Sequence, residues 1–124
     1  MSDQVHPDAG INPEWECSPR QVRAMLQNSE SGLVLVDCRT DAEWDQARIE
    51  GAVLIPLQEI HERIDELQPY DDSRPLVVYC HHGRRSLRAA AILREAGLTG
   101  ALSMAGGIDR WSLEIDPAVP RYTK

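Results

Sequence analysis

The chain has 124 residues, 42% hydrophobic and 27% charged, with a formal net charge of -7 at pH 7. That length supports one core and not two, and the balance is that of a globular protein rather than a disordered or collagenous chain. The acidity excludes general nucleic-acid binding, which needs a basic face to displace counterions from phosphates.

Residues 1–12 are polar and aperiodic, with Pro7 and Gly10, and predict a flexible leader ahead of a single domain over 13–124. The start, MSDQVHPDAG, lacks the basic and apolar regions of a signal peptide, and no apolar run approaches the ~20 residues of a membrane span. The expectation is a cytoplasmic protein with no membrane partner. Cys17, Cys38 and Cys80 are odd in number and far apart, a poor disulfide framework, so reduced thiols are expected.

A short extended piece over Trp15 to Cys17 precedes SPRQ (Ser18 to Gln21), which reads as a capping box with proline at the first helical position. A helix through Val22, Met25 and Leu26 follows. LVLVD (Leu33 to Asp37) has the continuous apolar, β-branched pattern of a strand buried on both faces. TDAE (Thr40 to Glu43) repeats the capping signal before a short helix carrying Trp44. AVLIP (Ala52 to Pro56) reads as another strand, and Leu57, Ile60, Ile64 and Leu67 then fall at helical spacing. LVVYC (Leu76 to Cys80) is the strongest strand. The helix after it starts near Arg85 or Ser86 and runs through Leu87, Ala90, Ala91 and Leu93 until Gly97 offers a C-cap. A last strand around Ala101 to Met104 leads into a helical piece with Ile108 and Trp111. Strands alternating with helices predict an α/β fold, helices covering both faces of a mostly parallel sheet.

In such sheets, sites form where strand carboxyl ends meet the N-termini of the following helices, and Cys80 falls at such a place. A loop curling into a helix aims several N–H groups at one point, and the helix dipole adds positive potential there. Together with nearby cations this lowers a cysteine pKa from about 8.5 toward the range where the reactive thiolate prevails. Arg84, Arg85 and Arg88, with His81 or His82 when protonated, make a local basic cluster on an acidic chain, which points to a small anionic substrate. Gly83 gives the loop the freedom to turn its amides inward. A buried cysteine merely ending a strand would not need these neighbours. A zinc site through Cys80, His81 and His82 is disfavoured, since adjacent residues seldom converge on one metal; no metal and no organic cofactor are expected.

The loop CHHGRR resembles the C-x-x-G-x-R active-site loop of the rhodanese family of sulfurtransferases, with Cys80, Gly83 and Arg85 in the matching places. DCRTDAEWDQARIEGAVLIP (Asp37 to Pro56) resembles that family's D-x-R-x-x-x-E-aromatic block and the block after it, although Ala47-Arg48 stands where the family usually has Gly-His. MAGGIDRW (Met104 to Trp111) resembles its Gly-Gly turn, and the similarity runs from about Asn12 to Tyr122.

The resemblance implies a rhodanese-like, doubly wound sheet of roughly five strands. It also implies transfer of a sulfane sulfur from a donor such as thiosulfate, through a Cys80 persulfide, to cyanide, a thiol or a protein. Amides of residues 81 to 86, Ser86 included, would hold the persulfide anion. Asp37 and Arg39 are expected as supporting residues, Asp37 on backbone amides and Arg39 on Glu43. The tail AGGIDRWSLEIDPAVPRY is similar to rhodanese domains fused behind E1-like adenylyltransferases, which hints at a protein acceptor of the ubiquitin-like sulfur-carrier type. Two other readings are an inactive rhodanese-like binding module and a cysteine phosphatase. Phosphatase loops follow C-x-x-x-x-x-R, one residue longer than the spacing from Cys80 to Arg85.

Overall fold

The structure is a computed structural model and describes residues 10–67 and 74–122. Most of the expected leader, residues 1–9, lies outside them. Five strands form one parallel sheet in the order β1 (Glu16–Cys17), β5 (Leu102–Met104), β4 (Leu76–Tyr79), β2 (Val34–Asp37), β3 (Val53–Leu54). The helices are α1 (Pro19–Gln27), α2 (Asp41–Gln46), α3 (Leu57–Ile60), α4 (Arg84–Glu95) and α5 (Gly107–Glu114). Among the described residues no helix is long and apolar enough to cross a membrane.

Both capping boxes form. Ser18 Oγ accepts the Gln21 N–H at 3.1 Å while the Gln21 side chain takes the Ser18 N–H at 2.8 Å. Thr40 and Glu43 make the same reciprocal pair. Satisfying helix N–H groups locally in this way fixes where α1 and α2 begin.

The central strands sort their side chains by the two-residue period of a strand. Val34, Val36 and Cys38 join Leu76, Val78 and Cys80 in one cluster with Ile60, Ala89, Ala90 and Leu93. Leu35, Val77 and Tyr79 face the other way, against Val22, Ile108 and Trp111. Thus α3 and α4 cover one face and α1 and α5 the other, as a sheet apolar on both sides requires.

One expected element is different. The helix anticipated from Leu57 to Leu67 is broken into α3 and a 3-10 turn over Ile64–Glu66. The Arg63 N–H is shared between Glu59 O at 3.0 Å and Ile60 O at 3.2 Å, the point where i→i-4 bonding gives way to i→i-3. Ile60, Ile64 and Leu67 are nevertheless all buried, because a tighter turn also returns every third side chain to one side. The strand expected over Ala52 to Pro56 is shorter, at two residues. It is the sheet's edge, where only one neighbour holds it.

Candidate active site

β4 ends at Tyr79, and the chain turns through Cys80, His81, His82 and Gly83 into α4. Gly83 takes the N-cap position with φ 103°, a conformation that disfavours a side chain, and it offers no cap of its own. The Cys80 sulfur occupies that role. Sγ accepts the N–H of Gly83 at 3.0 Å and of Ser86 at 3.3 Å, and lies 3.4 Å from Ser86 Oγ. Ser86 Oγ is in turn 2.6 Å from Ser103 Oγ on β5, so this polar chain is buried and satisfied.

The loop's carbonyls point the opposite way. Cys80 O accepts the Ile108 N–H at 2.8 Å and His81 O that of Asp109 at 3.1 Å, both from the first turn of α5. The approach is close enough that a Cβ on Gly107 would sit 2.4 Å from each of these two oxygens. The Gly-Gly turn therefore supplies the space in which loop and helix meet.

Cys38 completes the surroundings of the sulfur. It follows Asp37, the register partner of Tyr79, and its N–H donates to Tyr79 O at 3.0 Å, so it stands beside Cys80 on the same face. A hydrogen bond from the Cys38 thiol is the largest influence lowering the Cys80 pKa, and the Ser86 and Gly83 donors add to it against the opposing effect of burial. Together they bring the pKa from 9.0 to about 5. The Cys38 pKa is pushed up. Of the two sulfurs, Cys80 is the one that ionises, because the loop amides converge on it. Alkylation of Cys80 by iodoacetamide should accordingly titrate with a midpoint near about 5. Cys38→Ala should move that midpoint up, and Cys38→Ser, which still donates, should restore much of it. Superimposable profiles for all three proteins would remove Cys38 from this role.

Arg85 stands in the first turn of α4. It makes a bidentate pair with the buried Glu43, at 2.7 and 2.9 Å. Glu43 also accepts the Tyr122 hydroxyl at 2.8 Å. Burial alone would raise the Glu43 pKa, but Arg85, Tyr122 and the Thr40 backbone outweigh it and hold the carboxyl well below its usual range. The expected pairing of Arg39 with Glu43 is corrected by this geometry. Arg39, fully buried, closes on Asp37 through Nε at 2.9 Å and Nη2 at 2.6 Å, and donates from Nη1 to Tyr122 Oη at 2.7 Å. Asp37 does hold a backbone amide, that of Arg39 at 2.9 Å. The reason for the exchange is competition. Glu43 is used by the loop arginine, and Tyr122 from the far end of the chain bridges the two pairs.

An open cavity of about 440 Å³ is lined by Cys80, His81, His82, Arg84 and Arg85. Arg84 and Arg88 are exposed and contribute charge rather than contacts. His82 is exposed, whereas His81 is buried and stacked between His82 at 3.8 Å and Tyr122 at 4.0 Å. Burial first, and then His82, hold its pKa below the ordinary histidine range, which disfavours the cationic form of His81. Sequence reasoning also passed over Tyr122, Ser103 and Asp109, none of which carries a local signal.

This arrangement defines a class: a parallel α/β protein holding a cysteine thiolate in a strand-to-helix loop. Residues 18–114 match the rhodanese-like domain, and the chain belongs to that family. It is 35% identical over 105 residues to the probable adenylyltransferase/sulfurtransferase MoeZ of Mycobacterium tuberculosis, a match covering 85% of this chain but only 26% of that protein. It is 33% identical to the thiosulfate sulfurtransferase GlpE of Glaesserella parasuis, over 77% of this chain and 84% of that one. The human single domain sulfurtransferase TSTD1 superposes with a TM-score of 0.68 at 28% identity, covering 81% of this chain and 96% of its own.

Proposed function

We propose that the protein is a rhodanese-type sulfurtransferase with Cys80 as nucleophile. The observation that carries this reading is the thiolate cradle: two backbone N–H groups and the Ser86 hydroxyl converge on Cys80 Sγ. The thiolate attacks the outer sulfur of thiosulfate, a sulfur–sulfur bond forms to Cys80, and sulfite leaves with the electron pair of the bond that breaks. Cyanide, a thiol or a protein acceptor then attacks the outer sulfur of the persulfide and returns the thiolate. Each step is a displacement at sulfur, so no redox cofactor or metal takes part in the proposal. The donors that hold the thiolate also suit the persulfide anion, since they are aimed at one point.

Arg84 and Arg88 favour an anionic donor by adding positive potential at the mouth. Arg85 acts indirectly, tying the start of α4 to Glu43. For the acceptor, the likeness to chains joined to adenylyltransferases favours a protein of the ubiquitin-like sulfur-carrier class. Intact-mass measurement tests the reading. Thiosulfate should add one sulfur atom, mapped to the peptide holding Cys80, and cyanide should remove it as thiocyanate. A protein whose mass does not change with thiosulfate or with a low-molecular-weight persulfide would not be a sulfurtransferase of this kind.

A further inference from the structure

The buried ring of His81 has an unused atom. Its Nε2 has no hydrogen-bond partner among the described residues, although the residue is only 4% exposed. A buried polar atom left in this way is costly to the fold unless something pairs with it. The ring itself is held on both faces, by His82 and by Tyr122, and a neutral imidazole nitrogen with no proton donor or acceptor beside it is the kind of atom that ligates a metal.

Two further ligand groups lie beside it. One ligand atom each from His81, His82 and Asp109 lie within 4.8 Å of one another, and His82 Nε2 is 3.8 Å from Asp109 Oδ2. We infer that His81, His82 and Asp109 form a site for a divalent first-row transition ion such as Zn²⁺, at the rim of the Cys80 cavity. The two rings are stacked on the same side of the loop, which sets their in-plane lone pairs side by side, so His82 must turn out of the stack to aim at a shared ion, and Asp109 stands in the first turn of α5. Bonds of about 2.0–2.1 Å to a tetrahedral ion place ligand atoms about 3.4 Å apart, so the three must close by an ångström or so. His82 is 62% exposed and free to supply that movement, while the buried His81 stays fixed. Three protein ligands leave the fourth position open to water or substrate.

Arg121 opposes the ion. It pairs with Asp109 through Nε at 2.9 Å and Nη2 at 3.1 Å, yet its side chain is 54% exposed and can swing into solvent. This competition gives the site a signature, because removing a positive neighbour should help a cation and removing a ligand should harm it. The inference does not depend on whether Cys80 carries sulfur.

The test uses the Cys80→Ser full-length chain, so that the reactive thiolate cannot ligate. Zn²⁺ is titrated in competition with a chromophoric chelator, and Co²⁺ is used for spectra. One ion should bind, with a cobalt spectrum free of thiolate charge transfer, and the imidazole ¹⁵N signal of His81 Nε2 should shift. In that background His82→Ala and Asp109→Asn should each weaken binding by about tenfold or more, whereas Arg121→Ala should tighten it. His82 and Arg121 are exposed, so those two variants keep the fold even if Asp109→Asn does not. Absence of binding, affinity indifferent to His82→Ala, weaker binding in Arg121→Ala, or a thiolate-to-cobalt band would each overturn the site.

Discussion

Cys80→Ser should reduce thiocyanate release from thiosulfate and cyanide by at least about 10³-fold, the scale on which removal of a covalent nucleophile is felt. A serine hydroxyl in the same cradle is not ionised at neutral pH, whereas Cys80, with its pKa lowered to about 5, is almost wholly thiolate. The hydroxyl also cannot form the sulfur–sulfur bond in which the transferred atom is carried. Cys17→Ser provides the contrast. Cys17 is buried on β1 and its pKa is pushed up to about 12, by burial and then by Glu16, so its loss should leave turnover close to that of the unaltered protein. Substantial thiocyanate release by Cys80→Ser would require a different nucleophile, and a collapse of activity in Cys17→Ser with the fold intact would point to where it lies.

The second large effect concerns stability. Arg39→Met should lower the free energy of unfolding by about 3–5 kcal/mol, because it leaves the Asp37 carboxylate buried without its counter-charge. Asp37 and Arg39 are both fully buried, and the guanidinium also serves Tyr122 Oη and the carbonyl of Ala47. Set against a typical total of about 5–15 kcal/mol for a domain, this is a large fraction. Urea unfolding followed by circular dichroism should show a much lower midpoint with little change in slope. Arg63→Ala, which breaks pairs with Glu59 and Glu66 on the exposed surface, should scarcely move the midpoint. Comparable shifts for the two variants would mean that the buried network is not what holds this side of the sheet.

The parts of the fold and site legible in the sequence are those set by neighbours in the chain. β2 and β4 announce themselves as unbroken apolar runs, α1 and α2 by capping boxes, and Cys80, Gly83 and Ser86 by the turn from strand to helix. What could not be read is set by distance along the chain. Arg39 had two carboxylates within reach, and the choice between Asp37 and Glu43 was decided by Arg85 and Tyr122, more than forty residues from Arg39 in each case. The place of Cys38 beside Cys80 depends on the pairing of β2 with β4. The break in the helix after Ile60 has no proline or glycine to mark it, and the apolar spacing is the same for both conformations.

The contacts between the loop and α5 have a consequence for the rate of the proposed sulfur transfer. With the carbonyls of Cys80 and His81 fastened to Ile108 and Asp109 and the amides of Gly83 and Ser86 facing the sulfur, the peptide dipoles around the reacting atom are already oriented. In the proposed reaction, water would have to reorganise each time charge moved away from the thiolate and back. Here the peptide units of Cys80 and His81 are held by α5 and that of Ser86 by its place in α4, so in the proposed reaction the orientational work is done once, during folding, and is not repeated in each cycle.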